Sequence, residues 1–340
     1  MADGGRTARD QAIAGFLART GWDRAERRLL AGDASFRRYD RLIEGARRAV
    51  LMDAPPPQEN VRPFLAVARL LAGMELSAPR IFAADEEAGL VLLEDLGDDT
   101  YTRLLARSID PAMLYERAVD LLIALQRRLA PADLASLPAL DDPRALREVS
   151  LLLDWYWPAM RGAAAPEPVR AEFLAAWQDV LPKGRRLPAG FVHFDFHVDN
   201  LLWLPERPGV AACGLLDFQD AMRGPLPFDL MSLLQDARRD IDPALGAALQ
   251  DRFLAAFPSL DREAFADAYA VFGAERHTRI LGTFTRLLKR DGKPGYLVHM
   301  PRVWRQLETA LARPALAPLA RWFDRHLPPA ARGVPEIRGS

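Results

Sequence analysis

Lysine is almost missing from this 340-residue chain. The three present are Lys183, Lys289 and Lys293, so none precedes residue 183 and arginine carries the basic charge. A GC-rich genome would produce that bias on its own. It still has a chemical consequence: an anion held in the N-terminal half must be held by arginine, by backbone amides or by a metal. Cysteine is scarcer still. Cys213 alone, in the apolar run "VAACGLLDF", cannot form an intramolecular disulfide, and a reducing cytoplasm is the expected compartment. Net charge is nearly absent (-1), which removes any global field toward nucleic acid or an anionic membrane. No run approaches the length of a membrane span, and "MADGGRTARDQAIAGFL" has no apolar core of the signal-peptide kind. Neither G-x-x-x-x-G-K-[ST] nor G-x-G-x-x-G occurs. There is no internal repeat, and nothing calls for an obligate protein partner.

What remains is an ordinary soluble composition, 50% hydrophobic and 27% charged, on a chain long enough for two lobes. Residues 8–19 read as a helix. "LLAGDASFRRYDRLIE" predicts two strands around a turn, and "RRAVLMDAPPP" a third strand stopped by prolines. "NVRPFLAVARLLAG" has helical periodicity ending at Gly73, and "APRIFAADEEAGLVLLEDLGD" reads as two further strands. Helical signals dominate afterwards. One such helix has Asp110 as its N-cap and Pro111 at its first position. The expected architecture is α+β: a five-stranded antiparallel N-lobe over residues 1–95, a mostly helical C-lobe over 96–330, and a tail over 331–340. The acidic and glycine-containing stretch "LLEDLGDDTY" reads as the hinge.

Polar chemistry is concentrated in "FVHFDFHVDNLLWL", Phe191 to Leu204, which holds two of the five histidines. His193, Asp195 and Asn200 follow the spacing H-x-D-x-x-x-x-N, and Asp217 closes a later apolar run in "GLLDFQD". A general base, an amide oxygen and a second carboxylate are what phosphoryl transfer asks of a protein. Mg²⁺ takes hard oxygen ligands from one or two carboxylates together with the phosphates of ATP. On this reading Asp195 orients and deprotonates an acceptor hydroxyl, His193 orients the loop, and Asn200 with Asp217 hold the metal. The alternative is an Asp/Asn-rich turn between strand and helix. A zinc site built from His193, His197 and Cys213 would have three ligands at most and no C-x-x-C partner.

These motifs resemble the protein-kinase-like small-molecule kinases of the aminoglycoside phosphotransferase and choline kinase group; "HFDFH" is close to that group's H-G-D-x-H. More narrowly, "LAGDASFRRY", "LMDAPP", "VLLEDLGD", "LLDFQDAMRGPLPFDLMSLLQDAR" and "RLLKRDGKPGYLVHMPRVW" resemble the bacterial N-acetylmuramate/N-acetylglucosamine anomeric kinases of cell-wall sugar recycling. The resemblance implies ATP- and Mg²⁺-dependent phosphorylation of a sugar at its C1 hydroxyl. Adenine would meet the hinge backbone near Glu94 and Leu96. Asp229 would tie down the catalytic loop or act as a helix N-cap. A kinase for another small alcohol, or a silent nucleotide-binding scaffold, are the alternatives.

Two departures bear on the site. Kinases of this type place a lysine on the third strand, where "AVLMDA" offers Met52 or Asp53; the surrogate cation is expected to be Arg37 or Arg38, beside a phosphate turn containing Gly32 and Ser35. Phe194 stands between the histidine and the aspartate, where relatives carry glycine or arginine, and reads as packing. On the acceptor side, His197, Gln219 and Asp220 could reach a sugar, and Arg286 or Arg290 could pair the lactyl carboxylate of muramic acid. A charged helix end is the simpler account of the last two. Trp155 and Trp157 read as core rather than as a sugar-stacking wall.

Overall fold

The computed structural model describes residues 2–32 and 36–337; of residues 2–7 and 31–32 it describes the backbone alone. In chain order the first elements are α1 (Ala2–Arg19), β1 (Glu26–Gly32), β2 (Arg38–Glu44), β3 (Arg47–Asp53), α2 (Arg62–Gly73), β4 (Ile81–Asp85) and β5 (Leu90–Leu93). Then come α3 (Tyr101–Ala106), α4 (Pro111–Arg128), α5 (Pro131–Ser136), α6 (Asp142–Leu151), α7 (Trp157–Arg161) and α8 (Glu167–Val180). Strands β6 (Ala189–Val192), β7 (Leu201–Trp203), β8 (Cys213–Leu215) and β9 (Met222–Pro225) follow. Helices α9 (Phe228–Leu234), α10 (Pro243–Ala256), α11 (Arg262–Asp291), α12 (Met300–Leu311) and α13 (Ala317–His326) complete the chain. Two compact units divide it: Met1–Leu121 with Val198–Asp220, and Leu122–His197 with Ala221–Ser340.

The first unit is built on a five-stranded antiparallel sheet in the order β1-β2-β3-β5-β4, with α2 inserted between β3 and β4 as the sequence predicts. Strand alternation assigns its faces. Ala49 and Leu51 of β3 pack with Leu42, Leu90 and Leu92 against Ile13, Phe16 and Leu17 of α1. Val50 and Met52 therefore share the opposite face. The turn before β5 requires glycine: Gly89 has φ +65°, and a Cβ there would lie 2.1 Å from the Ala54 carbonyl oxygen. That close approach lets Ala54 N–H bond the Gly89 carbonyl at 2.9 Å.

The two-stranded β7–β8 ribbon (Leu201 opposite Leu215) belongs to the same unit and is fixed to the stretch that follows the sheet. Trp203 N–H donates to the Asp99 carbonyl at 2.9 Å, and Leu215 N–H to that of Ser77 at 2.8 Å. Arg207 then reaches the Ser77 hydroxyl (2.9 Å) and the Glu94 carboxylate (2.8 Å), and Thr102 donates to Asp199.

The second unit is helical around one continuous apolar core that runs from Leu140 to Leu327. Helix α11 is its axis, thirty residues long and buried along most of its length. Asp261 caps its start by accepting from Ala264 N–H at 2.7 Å, and Gly292 ends it in the left-handed conformation. Gly282 allows α11 to lie on the backbone at the end of α6: a Cβ would sit 2.3 Å from the Leu151 carbonyl carbon. There α6 passes into a π-helical turn, Leu152–Tyr156. Trp157 is core, 6.3 Å from Trp322, as expected of that aromatic pair; Trp155 is half-buried.

Candidate active site

The first unit carries a cavity of about 390 Å³. Its walls are apolar (Leu30, Val50, Leu93, Leu202, Leu216 and Phe218 among them), and the backbone of Glu94 to Asp98 forms one side. An apolar cavity bordered by the non-regular stretch Glu94 to Asp98 suits a heteroaromatic base. Glu94 and Leu96 both line it, as the sequence predicts, although the Glu94 carboxylate itself is taken by Arg207 and Arg80.

Asn200 and Asp217 line the same cavity. They stand just beyond the same end of the antiparallel β7–β8 pairing, where Leu216 N–H bonds the Asn200 carbonyl at 3.0 Å. Seventeen positions apart in sequence, they are thus brought to one wall. Among the described residues Asp217 is one of four non-glycine residues with positive φ (+58°), a conformation that costs about 1 kcal/mol or more and persists where the surroundings enforce it. The enforcement is visible. Phe218 is fully buried and stacks on Phe64 of α2 at 4.9 Å, and Gln219 Nε2 donates to Asp217 Oδ1 at 2.8 Å. Gln219 Oε1 is buried without a hydrogen-bond partner. Asp220 is exposed. The donor set, an amide oxygen and a carboxylate, fits a hard divalent cation such as Mg²⁺.

On β3 the position two residues beyond Val50 is Met52, fully buried, so the cation expected there is absent in fact as well as in sequence. The two surrogate arginines differ. Arg37 is 13% exposed, with its Nε 3.5 Å from Glu59 Oε2, just ahead of α2. Arg38 is 55% exposed and pairs Asp40 at 3.0 Å. Gly32 ends β1 opposite Arg38; Ser35 lies outside the described residues.

In the second unit, the loop after β6 carries His193, Asp195 and His197. Asp229 organises it. The sequence left open whether Asp229 caps a helix or ties the loop; Pro227 occupies the cap of α9, and the Asp229 carboxylate accepts from His193 N–H (2.6 Å) and Phe194 N–H (3.1 Å). Burial pushes Asp229 up to about 7 in spite of those two donors. The His193 ring is 1% exposed and edge-on to Phe196 at 5.7 Å. His197 is 7% exposed; burial, then Arg238, hold it below the usual imidazole range, so it is neutral at pH 7.

Asp195 retains 38% of its side-chain surface, and its Oδ1 lies 3.7 Å from Arg279 Nη2. Lost solvation works against the charged carboxylate, but Arg279, His197, Arg276 and His193 outweigh it and hold Asp195 below the ordinary aspartate range. Arg276, itself buried, falls to about 10 because of burial and its neighbour Arg279. Neither arginine was singled out by sequence. The usable signal was charge at i and i+3 in the middle of α11, flanked by the apolar runs "AYAVFGA" and "ILGTF". Further along α11, Arg286 is half-buried with an Nε lacking a hydrogen-bond partner, whereas Arg290 is exposed and forked onto Asp291 (2.7 and 2.9 Å). Cys213, in the first unit, is buried near the Tyr101 hydroxyl and pushed up to about 12 by burial.

Residues 26–266 match the model of the phosphotransferase enzyme family. The chain belongs to that family. Among curated proteins it is 41% identical over 353 aligned residues (94% of this chain, 97% of the relative) to the N-acetylmuramate/N-acetylglucosamine kinase of Caulobacter vibrioides. It is 42% identical over 303 residues (85% of each) to the protein of the same name from Pseudomonas aeruginosa. Solved structures share the fold at low identity. A choline/ethanolamine kinase family protein from Mesorhizobium loti matches with TM-score 0.61 at 14% identity, covering 94% of this chain and 98% of that one. The GDP complex of aminoglycoside 2'-phosphotransferase-IIIa matches with TM-score 0.60 at 15% identity, covering 89% and 98%. The protein-kinase-like architecture expected from the sequence is therefore the observed one, and the family is one of enzymes that transfer phosphate.

Proposed function

We propose that the protein is an ATP-dependent kinase acting on the C1 hydroxyl of N-acetylmuramate or N-acetylglucosamine, in the recycling of cell-wall sugars. The observation that carries this reading is identity of 41% to a kinase of that name across 94% of the chain. The site chemistry agrees. Adenine would lie in the apolar cavity against the backbone of Glu94 to Leu96, and the ATP phosphates would extend toward Gly32 and Arg37. Between the two candidate arginines Arg37 is favoured, because its pairing with Glu59 reproduces the cation–carboxylate pair that kinases use to hold the α- and β-phosphates. Asn200 and Asp217 would hold Mg²⁺, which when bound neutralises charge on the phosphates.

Asp195 orients the acceptor hydroxyl and accepts its proton as the sugar oxygen bonds the γ-phosphorus of ATP and the bond from that phosphorus to the departing ADP oxygen breaks. Its depressed pKa suits a residue that must be ionised before the sugar binds. His193 supports the loop through its backbone bond to Asp229. Gln219 Oε1, buried and without a partner, is a ready acceptor for a substrate hydroxyl, and His197 and Asp220 are the other candidate contacts. For the lactyl carboxylate of muramate, Arg286 is preferred to Arg290, whose guanidinium is already forked by Asp291. Dependence on ATP and the lone reduced Cys213 fit a cytoplasmic enzyme, and among the described residues no helix is long and apolar enough to cross a membrane.

The test is phosphoryl transfer from ATP with Mg²⁺ to N-acetylmuramate, N-acetylglucosamine, glucose, kanamycin and choline, with product position read by ³¹P and ¹H NMR. A sugar 1-phosphate that vanishes in Asp195→Asn is the expected result. Transfer only to kanamycin or choline would overturn the sugar assignment, and binding of ATP with no transfer at all would overturn the enzyme.

A further inference from the structure

Phe194 occupies an expensive conformation for a side chain of its size. Its φ is +82°, where glycine sits without strain and other residues lose about 1 kcal/mol or more. The ring is 5% exposed and stacked on Phe228 at 5.6 Å with 14° between planes. The guanidinium carbon of Arg279 lies 4.0 Å above the ring centroid, well inside cation–π range, and that of Arg144 lies 5.5 Å away. The next residue is Asp195, whose Oδ1 is 3.7 Å from Arg279 Nη2. One guanidinium therefore touches a ring and a carboxylate on consecutive residues of the same loop.

Arg279 is 12% exposed, and its Nε is buried with no hydrogen-bond partner. The ring and the carboxylate are thus its principal anchors. Its place along α11 is set nearby on the helix, since Gly282, three residues on, lets the helix meet the Leu151 backbone. An aromatic ring at position 194 accounts for the strain in a way that simple filling does not: Phe228 already supplies apolar surface, whereas only a π-face attracts a guanidinium.

We infer that Phe194 and Arg279 form a clamp in which Arg279 is the positioning residue for Asp195, holding its carboxylate in one orientation toward the acceptor hydroxyl. The inference rests on the reading of Asp195 as the acceptor-orienting residue. Arg276, His193, His197 and Asp229 also surround Asp195, and Arg279 meets both its carboxylate and the neighbouring ring.

The experiment compares wild type with Arg279→Met, Arg279→Lys and Phe194→Leu in the full-length enzyme, using N-acetylmuramate, ATP and Mg²⁺. Thermal melting and calorimetric titration with a non-hydrolysable ATP analogue establish that each variant is folded. Arg279→Met is expected to lower kcat about 100-fold with the KM for ATP changed by less than about twofold, since the lost contact orients the base and not the nucleotide. Arg279→Lys keeps charge and ring contact but loses the planar fork, and should recover about tenfold of that loss. Phe194→Leu should lower kcat about tenfold, because Arg279 loses its platform. The acid limb of the kcat–pH profile should move upward in Arg279→Met and stay in place in Arg279→Lys. Wild-type kcat in folded Arg279→Met would overturn the inference. So would a loss that lysine does not relieve with an unmoved acid limb, which is what a packing role gives. If Arg279→Met does not fold, the lysine and leucine variants decide by the same kcat–KM split. Transfer by wild type to a different acceptor would sink the sugar reading but leave this comparison to be made on that acceptor. No transfer by wild type would sink both.

Discussion

Two loops, one in each unit, hold an aspartate beside a residue in the left-handed region, and they do it in opposite ways. At Asp217 the strained residue is the carboxylate itself (φ +58°), fixed by the buried Phe218 behind it and by an amide donor from Gln219. At Asp195 the strain sits one residue earlier, on Phe194 (φ +82°), and the carboxylate faces a guanidinium. A neutral amide orients an anion without cancelling its charge, which suits a group meant to receive a metal from solution. A resident cation lowers the carboxylate's proton affinity and keeps it ionised at neutral pH, ready to orient an acceptor hydroxyl. On the proposed reading the difference is between a ligand and a base.

The sharpest break of that comparison is to neutralise each aspartate in turn. Asp195→Asn and Asp217→Asn should each lower kcat on the order of 10³-fold or more, the scale of a lost general base or of lost phosphate neutralisation. The size will not tell them apart, but the magnesium titration will. Asp217→Asn should need higher Mg²⁺ for half-maximal rate and regain part of its loss when Mg²⁺ is raised, whereas Asp195→Asn should keep the wild-type Mg²⁺ dependence. Equal Mg²⁺ dependence in the two variants would erase the distinction between ligand and base.

That distinction was half legible in the sequence. The spacing from His193 to Asn200, and Asp217 at the end of an apolar run, nominates the candidate reactive residues because catalytic loops keep short-range order that spacing records. The strands were legible for the same reason: the alternation along β3 and the periodicity of α2 are local. What surrounds the reactive residues was not. Arg279 reaches Asp195 through the packing of α11 on α6, and that packing depends on Gly282 meeting Leu151, a tertiary event with no local signature. Phe194 read as packing because nothing in "HFDFH" reports a positive φ. The tie from Asp229 to the loop was anticipated from resemblance, while the residue's position in "PLPFDLM" suggested a cap that Pro227 in fact occupies.

A smaller effect tests how the first unit manages without a third-strand lysine. Arg37→Ala should raise the KM for ATP on the order of tenfold, the loss of one charge-assisted phosphate contact, with kcat reduced less. Arg38→Ala should stay within about twofold of wild type, since Arg38 is largely solvent-exposed and its guanidinium is already paired with Asp40. The reverse ranking would move the phosphate grip to Arg38. Wild-type ATP affinity in both would leave the backbone turn and the metal to hold the phosphates.

The smallest effect compares two carboxylates that share the same arginines. Asp195 and Glu275 both feel Arg276 and Arg279, yet Asp195 is held below its usual range while Glu275 is pushed up to about 7. Lost solvation raises both; the neighbours decide, since Asp195 also feels His197 and His193 and keeps 38% of its side-chain surface open, whereas Glu275 is fully buried, feels Glu148, and has no hydrogen-bond partner on either oxygen. The sign of the consequence follows from proton linkage. Below the unfolded value of 4.5 Glu275 is protonated in both states and contributes no pH dependence. Between 4.5 and about 7 the folded protein retains a proton that the unfolded chain has released, so stability falls as pH rises, and above about 7 the full cost of the buried charge is present. Glu275→Gln should therefore leave Tm nearly unchanged at pH 4.5 and raise it by about 2–4 °C at pH 8, the scale of ~1 kcal/mol in a unit of this size. Asp229, also raised to about 7, gives the same slope in both proteins and cancels in the difference. A Tm difference that does not vary with pH would mean that Glu275 stays ionised in the fold, and that the arginines of α11 control both carboxylates alike.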